Sequence, residues 1–316
     1  MKLLIVKISS LGDIIHTVAF VNHLRKSVNG LVIDWIVNDA YAELVESIEG
    51  VNRVWKFKRG KWGKGWWRPE TISEIASMIS EIRAEKYDVC LDLQGLFRSG
   101  IIARFSGAGK WAGFSNAREG AAHFYDIKID PGKKPHAVDV LFEALGLFGV
   151  EPPQKPDFSF TISENARAKV KASLSDAGIG GKYIVFHMGA RWPTKMWPRH
   201  YWNELTNLIA EKTGMPIVFT GSKSDISIIE KTVEKTVEKT AMKEKRAYNM
   251  AGRFSLPELA ALLKNSALMV TVDSGPMHMA AAFSTPIVAI FGPTSPDKTG
   301  PRSNGAVEIV RAEMEC

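Results

Sequence analysis

A chain of 316 residues with 45% hydrophobic content is long enough for two domains with sizeable cores. Its net charge is +7, and its two cysteines, Cys90 in an apolar run and Cys316, offer neither a disulfide framework nor a zinc spacing. Lys7 and Asp13 interrupt the apolar start and no run of about 18 apolar residues follows, so there is no signal peptide or membrane-span candidate and a cytoplasmic protein is expected.

Residues 3–8 read as a buried strand, and SSLGD at 9–13 as a polar turn into a helix through Ile14, Val18, Val21 and Leu24. Asp13 thus stands at a strand's carboxyl end, where a carboxylate serves as well for a helix cap as for a general base. A second strand covers 31–37 and a helix 41–48.

Residues 55–69, WKFKRGKWGKGWWRP, interleave bases with Trp55, Phe57, Trp62, Trp66 and Trp67, and the glycines predict a loop. The seven cations between Arg53 and Arg68 meet no acid in that stretch, so it is expected to hold an acidic partner: nucleic acid, or an anionic membrane surface. An amphipathic helix follows, with Ile72, Ile75, Ala76, Ile79 and Ile82 at helical spacing, and then a buried strand at 89–93. Gln94 and Arg98 stand at that strand's carboxyl end. Gly107, Gly109 and Ala112 imitate a dinucleotide fingerprint, but no strand immediately precedes them. His136 and Asp139 open a helix predicted to run to Phe148.

The proline-rich segment 150–158 is read as a linker, giving domains 1–152 and 153–316. The second half restarts with a strand at 183–187 and a stiff loop carrying Arg191, Thr194 and Lys195, whose cations should meet phosphate. A strand at 217–220 precedes a helix at 225–240, with the repeat EKTVEKTVEKT outside and Ile226, Ile229, Val233 and Val237 as the apolar stripe. Ser255 and Glu258 form a capping-box pair for the next helix. The segment 268–293 then reads as strand, turn, small-residue helix and strand. Its turn joins Asp273, Ser274, Gly275 and Pro276 with His278 close by, and a helix N-terminus so built suits a diphosphate. Strands alternating with helices in both halves predict an α/β protein with parallel sheets.

KISSLGDIIHT at 7–17, LDLQGLFRSG from Leu91, NAREG from Asn116 and VDSGPMH from Val272 together resemble the lipopolysaccharide heptosyltransferases, ADP-heptose glycosyltransferase family 9, and within it the heptosyltransferase I group. The resemblance spans nearly the whole chain. It implies a GT-B fold of two Rossmann-like domains facing across a cleft, the first for the acceptor and the second for the donor. It also implies inverting transfer of L-glycero-D-manno-heptose from ADP-heptose to a Kdo of Kdo2-lipid A, by a monomer peripheral on the inner face of the cytoplasmic membrane. No cofactor, metal or nucleic acid is expected.

On this resemblance Asp13 is the base. Thr194, Lys195, Phe254, Asp273, Ser274, Gly275 and His278 face the donor. Ser10, Gly12, His16, Lys56, Lys58, Arg59, Lys61, Gln94, Arg98, Arg118 and His136 face the acceptor. Members of the group continue past the position of Cys316, so the carboxyl end is expected to lack their terminal helix; the adenosine contacts within 221–250 have no alignment. Heptosyltransferase II, or a nucleotide and acidic-glycolipid binding module without chemistry, are the alternatives. A dehydrogenase lacks its strand-linked glycine fingerprint, and a metal-dependent GT-A transferase lacks two aspartates two positions apart.

Overall fold

The computed structural model describes residues 1–65, 67–239 and 246–311, and the chain divides into two compact units, Met1–Thr161 and a second beginning at Ile162. Trp66, Thr240, Cys316 and the side chain of Val237, all named above, lie outside the described residues.

The first unit begins at the centre of its own sheet. Strand β1 (Lys2–Val6) leads to α1 (Leu11–Ser27), β2 (Val32–Asn38), α2 (Ala42–Glu46) and β3 (Val51–Phe57). The chain then passes through α3 (Arg59–Lys64), α4 (Pro69–Ala84), β4 (Val89–Asp92), α5 (Phe97–Phe105), β5 (Lys110–Phe114), β6 (Ile127–Ile129) and α6 (Ala137–Phe142). The sheet order is β3-β2-β1-β4-β5-β6, parallel at every pairing. Leu3, Leu4, Ile5 and Val6 are all buried without alternation, the mark of a strand covered by helices on both faces. Because the order reverses between β1 and β4, the turns leaving those two strands open a crevice at their carboxyl ends.

The second unit repeats the plan. It runs α7 (Glu164–Asp176), β7 (Ile184–His187), α8 (Arg199–Thr213), β8 (Ile217–Thr220), α9 (Ile226–Lys239) and β9 (Ala247–Asn249). There follow α10 (Leu256–Lys264), β10 (Leu268–Val272), α11 (Gly275–Ala282), β11 (Ile287–Phe291), α12 (Pro296–Thr299) and β12 (Val307–Arg311). The order is β12-β11-β10-β7-β8-β9, so its reversal lies between β7 and β10. The expected capping box is present on α10, where the Ser255 amide donates to Glu258 Oε2 at 2.8 Å.

Several expectations are corrected. The basic stretch is a strand followed by a helix, not a loop: β3 carries Trp55 and Phe57 inward, and α3 buries Trp62 against Phe57 with ring centroids 4.9 Å apart. Trp55 Nε1 donates to Tyr87 Oη at 2.9 Å, and that hydroxyl donates to the buried Asp34 Oδ2 at 2.5 Å. Two of its tryptophans are therefore core, and Trp67 is exposed. On α4 the inward face is set by Thr71, Met78 and Ile82, while Ile72 points to solvent. On α9, Ile229, Thr232 and Val233 are buried and Ile226 is largely exposed. The helix opened by His136 ends at Phe142 and continues as a 3₁₀ segment, Glu143–Phe148.

The proline-rich segment is tied to the first unit. Asn22 Nδ2 donates to the carbonyls of Asp157 and Ser159 at 2.9 and 2.8 Å, and the Thr161 amide donates to Ser47 O at 3.0 Å. These bonds carry the division to Thr161, past the expected 152.

Gly113 in β5 shows how closely the first sheet is covered, since a Cβ there would meet the Tyr125 ring at 2.4 Å. Tyr125 lies across it to donate to Asp92 Oδ2 at 2.7 Å. Gly113→Ala should displace that ring and destabilise the protein by about 1–3 kcal/mol, read from urea unfolding. A wild-type midpoint would show that the ring has room to move.

Candidate active site

The crevice of the first unit is built by the turns after β1 and β4. Asp92, at the end of β4, is buried and accepts from the amides of Gln94 and Gly95 at 2.8 and 3.1 Å and from Ser99 Oγ and Tyr125 Oη at 2.7 Å each. Burial pushes its carboxyl above the usual range, and these four donors offset part of that rise. They also fix the 93–96 turn. Gln94 Oε1 then accepts from the amides of Ile8 and Ser9 at 3.0 and 2.8 Å, so the turn after β4 holds the turn that carries Asp13.

Asp13 is three residues inside α1, and Ser10 is the N-cap. Both the amide and the hydroxyl of Ser10 donate to Asp13 Oδ2, each at 2.8 Å. The other oxygen, Oδ1, lies 3.6 Å from Lys7 Nζ. The carboxylate keeps 41% of its side-chain surface exposed. Burial alone would raise its pKa, but Lys7, the two Ser10 donors and His16 outweigh that and hold it below the ordinary carboxylate value. The group is an anion at neutral pH. Capping thus occupies Oδ2, while Oδ1 faces Lys7.

Gly12 and His16 are buried in the same helix, and the His16 ring lies 5.9 Å from that of His136. His136 caps α6, its Nδ1 accepting from the Val138 amide at 3.2 Å, which leaves the proton on Nε2. Arg98 and Arg118 are both exposed, and the Arg118 amide donates to Gly95 O at 2.9 Å, so the segment bearing Arg118 is tied to the β4 turn. Arg59 reaches Ser9 Oγ at 3.3 Å.

The lysines of the basic stretch are placed differently. Lys56 pairs with Glu46 at 2.8 Å, and Lys58 and Lys61 pair with Glu74 at 3.5 and 2.5 Å. The bond from Lys61, then that from Trp62, holds the Glu74 carboxyl down at about 2. The acids absent from the stretch itself are supplied by α2 and α4. Arg59 is directed at the Ser9 hydroxyl of the Asp13 turn.

In the second unit the crevice lies between the segments after β7 and β10. Lys195, in the 3₁₀ turn Pro193–Lys195, donates to Asp273 Oδ2 at 2.6 Å, and Thr294 Oγ1 donates to the same oxygen at 2.6 Å. Asp273 is buried. Thr194 precedes Lys195 on the exposed side of that turn. Ser274 is the N-cap of α11, its hydroxyl 3.1 Å from Thr271 Oγ1; Gly275 opens the helix with an amide unblocked by a Cβ, and Pro276, which has no N–H to donate, fixes the first turn. His278 is buried one turn in.

Phe254 follows the turn at 250–253, which zips to the end of β8 through Gly252 N to Gly221 O at 2.9 Å. His187, at the end of β7, is held neutral by burial, which lowers it to about 4, and its Nδ1 lies 3.0 Å from Thr220 Oγ1. Lys7 and Thr294 were not singled out from sequence. The Lys7 ammonium is held by Leu93 O on the turn after β4, and Thr294 bonds Asp273 on the turn after β10, so neither partnership is local.

Among the described residues no three His, Cys, Asp or Glu side chains are grouped to hold a metal ion, and no helix is long and apolar enough to cross a membrane.

The profile of glycosyltransferase family 9 (heptosyltransferase) matches residues 75–316. The chain is 31% identical over 312 residues to lipopolysaccharide heptosyltransferase 1 of Pseudomonas aeruginosa, covering 98% of this chain and 83% of that one. It is 29% identical over 306 residues to the same-named protein of Escherichia coli K12, covering 95% and 90%. The solved structure of E. coli heptosyltransferase WaaC with ADP matches at a TM-score of 0.80 and 27% identity, over 99% of this chain and 94% of that one. Together with the two doubly wound units of the GT-B type, these matches show that the chain is a glycosyltransferase and belongs to family 9, the heptosyltransferases.

Proposed function

We propose that the protein transfers L-glycero-D-manno-heptose from ADP-heptose to a Kdo residue of Kdo2-lipid A, with inversion, in the assembly of the lipopolysaccharide core. One observation carries this reading: an ionised carboxylate, Asp13, is fixed at the switch point of the first unit with one oxygen engaged by Ser10 and the other left for a proton. Asp13 takes the proton from the acceptor hydroxyl as that oxygen bonds to the anomeric carbon of heptose. The bond from that carbon to the ADP oxygen breaks on the opposite face, and ADP leaves with the electron pair. Its charge is met by Lys195 and by the amides at the N-terminus of α11, with Thr194, Asp273, Ser274, Gly275 and His278 around them and Phe254 toward the adenine.

Ser10, Gly12, His16, Gln94, Arg98, Arg118 and His136 hold the acceptor sugar in the first unit. Its phosphates fall to Arg59, with Lys56, Lys58 and Lys61 contributing once they exchange carboxylate partners for phosphate. The enzyme works without metal or cofactor, as a monomer on the inner face of the cytoplasmic membrane, with exposed Trp67 beside these cations as a membrane contact. Support comes from the relatives' names and from the ADP in the WaaC structure.

The experiment is to offer ADP-heptose with Kdo2-lipid A, or with its monoheptosylated product, in the presence and absence of EDTA. Extension of Kdo2-lipid A alone, unaffected by EDTA, is expected. Extension of the monoheptosylated acceptor alone would reassign the protein to heptosyltransferase II. Binding of ADP-heptose without extension of either would leave a binding module, and loss of activity in EDTA restored by Mg²⁺ would overturn the metal-free scheme.

A further inference from the structure

We infer that Lys7 is the positioning residue that keeps Asp13 ionised and aimed, a role that rests on Asp13 being the base. Lys7 is one residue past β1, and every part of it is held. Its amide donates to Ile36 O at 3.2 Å, and its carbonyl accepts from Trp35 Nε1 at 3.0 Å. Its ammonium donates to Leu93 O at 2.7 Å and stands 3.6 Å from Asp13 Oδ1. Only 12% of the side chain is exposed, so the charge is fixed in place and poorly screened.

An ammonium so held is anchored by the β4 turn and faces one oxygen of the carboxylate at ion-pair distance. That oxygen is the one Ser10 leaves free. The contact is longer than a close hydrogen bond, and the two consequences pull together: the positive charge favours the anion, yet the proton-accepting lone pairs of Oδ1 are not consumed by a short bond. The other charged or titratable groups on this side are His16 of the same helix, His136 of α6 with its ring 5.9 Å from His16, and Arg59 of α3 at the Ser9 hydroxyl. Of these charges Lys7 lowers the carboxylate most, ahead of His16, and it approaches from the end of β1.

The test is Lys7→Gln, which keeps a donor for Leu93 O and removes the charge, beside Lys7→Arg, which keeps the charge. The acid limb of the kcat/KM profile should move to higher pH in Lys7→Gln, with activity tenfold lower on that limb for each unit of displacement, about the scale one unit of pKa implies. The alkaline plateau and the KM for ADP-heptose should stay close to wild type, and Lys7→Arg should return the limb toward its original place. A ¹³C titration of the Asp13 carboxyl should shift in the same direction without any turnover.

An unmoved limb and unmoved carboxyl titration in folded Lys7→Gln would overturn the inference. If Lys7→Gln does not fold, Lys7→Met, which keeps the packing of the stem and removes the charge, takes its place in the same carboxyl titration: an upward shift supports the charge effect, and none overturns it. Normal turnover by Asp13→Asn would instead remove the base reading, and the inference with it. A dead Asp13→Asn with an unmoved Lys7→Gln limb removes the inference alone.

Discussion

Asp13→Asn should lower kcat by about 10² to 10⁴, the usual loss when a positioned base is removed, while ADP-heptose still binds and the chain stays folded. The geometry makes this substitution unusually informative. The Asp13 oxygen that serves the helix is Oδ2, which accepts from the Ser10 amide and hydroxyl. An Asn carbonyl can accept both bonds, so the start of α1 survives, and the main electrostatic loss is the pairing with Lys7 at 3.6 Å. A purely structural Asp13 would therefore tolerate Asn with little change in stability or rate.

The pH dependence points the same way. Since the folded pKa of Asp13 is depressed, its anion is retained as pH falls past the ordinary carboxylate value, and wild-type activity should persist to that point before it is lost by protonation. The stability linked to this carboxylate has the same sign, present above the unfolded pKa and lost as pH falls through the folded one. Near-normal kcat in folded Asp13→Asn would return the residue to its capping role.

How much of this was legible in the sequence depended on whether a residue's partner was local. The Ser255–Glu258 box, the strands β8 and β10 and the turn opening α11 are each set by residues within a few positions and stand where their spacing placed them, while β1 runs Lys2–Val6 and stops short of the expected Ile8. The basic stretch failed because its acids come from Glu46 and Glu74, on helices before and after it, and because Trp55 finds Tyr87 only once β3 and the end of α4 are brought together.

Strands β6, β9 and β12 lie at sheet edges and are short or half exposed, so they lack the continuous apolar run that marked the central strands. Lys7 looked like an interruption of a hydrophobic segment. Its meaning depends on Leu93 O and Asp13, which the sheet order brings together at the β1–β4 reversal. Thr294 was hidden for the same reason, its partner Asp273 lying on the turn after the neighbouring strand.

Lys195→Ala should reduce kcat by on the order of a hundredfold, as loss of one donor to developing charge commonly does, if Lys195 neutralises the departing diphosphate. The same side chain is the counter-ion of Asp273, so a fall in rate alone does not separate the two roles. Asp273 is 6% exposed and would keep the Thr294 hydroxyl as a donor after the substitution, leaving a buried charge without its cation. That loss should destabilise the unit by about 3 kcal/mol, the lower end for breaking a buried pair because Lys195 is itself 22% exposed.

The double variant Lys195→Ala with Asp273→Asn resolves the ambiguity. Removing the orphaned charge should restore much of the unfolding free energy, since a neutral amide can still accept from Thr294. Turnover should nevertheless stay low, because nothing has replaced the cation at the leaving group, and the affinity for ADP should remain weakened. Recovery of kcat together with stability would mean that Lys195 acts only by balancing Asp273, and the charge of the leaving ADP would then have to be met by the α11 amides and by a neighbouring cation such as Arg191 or Arg199.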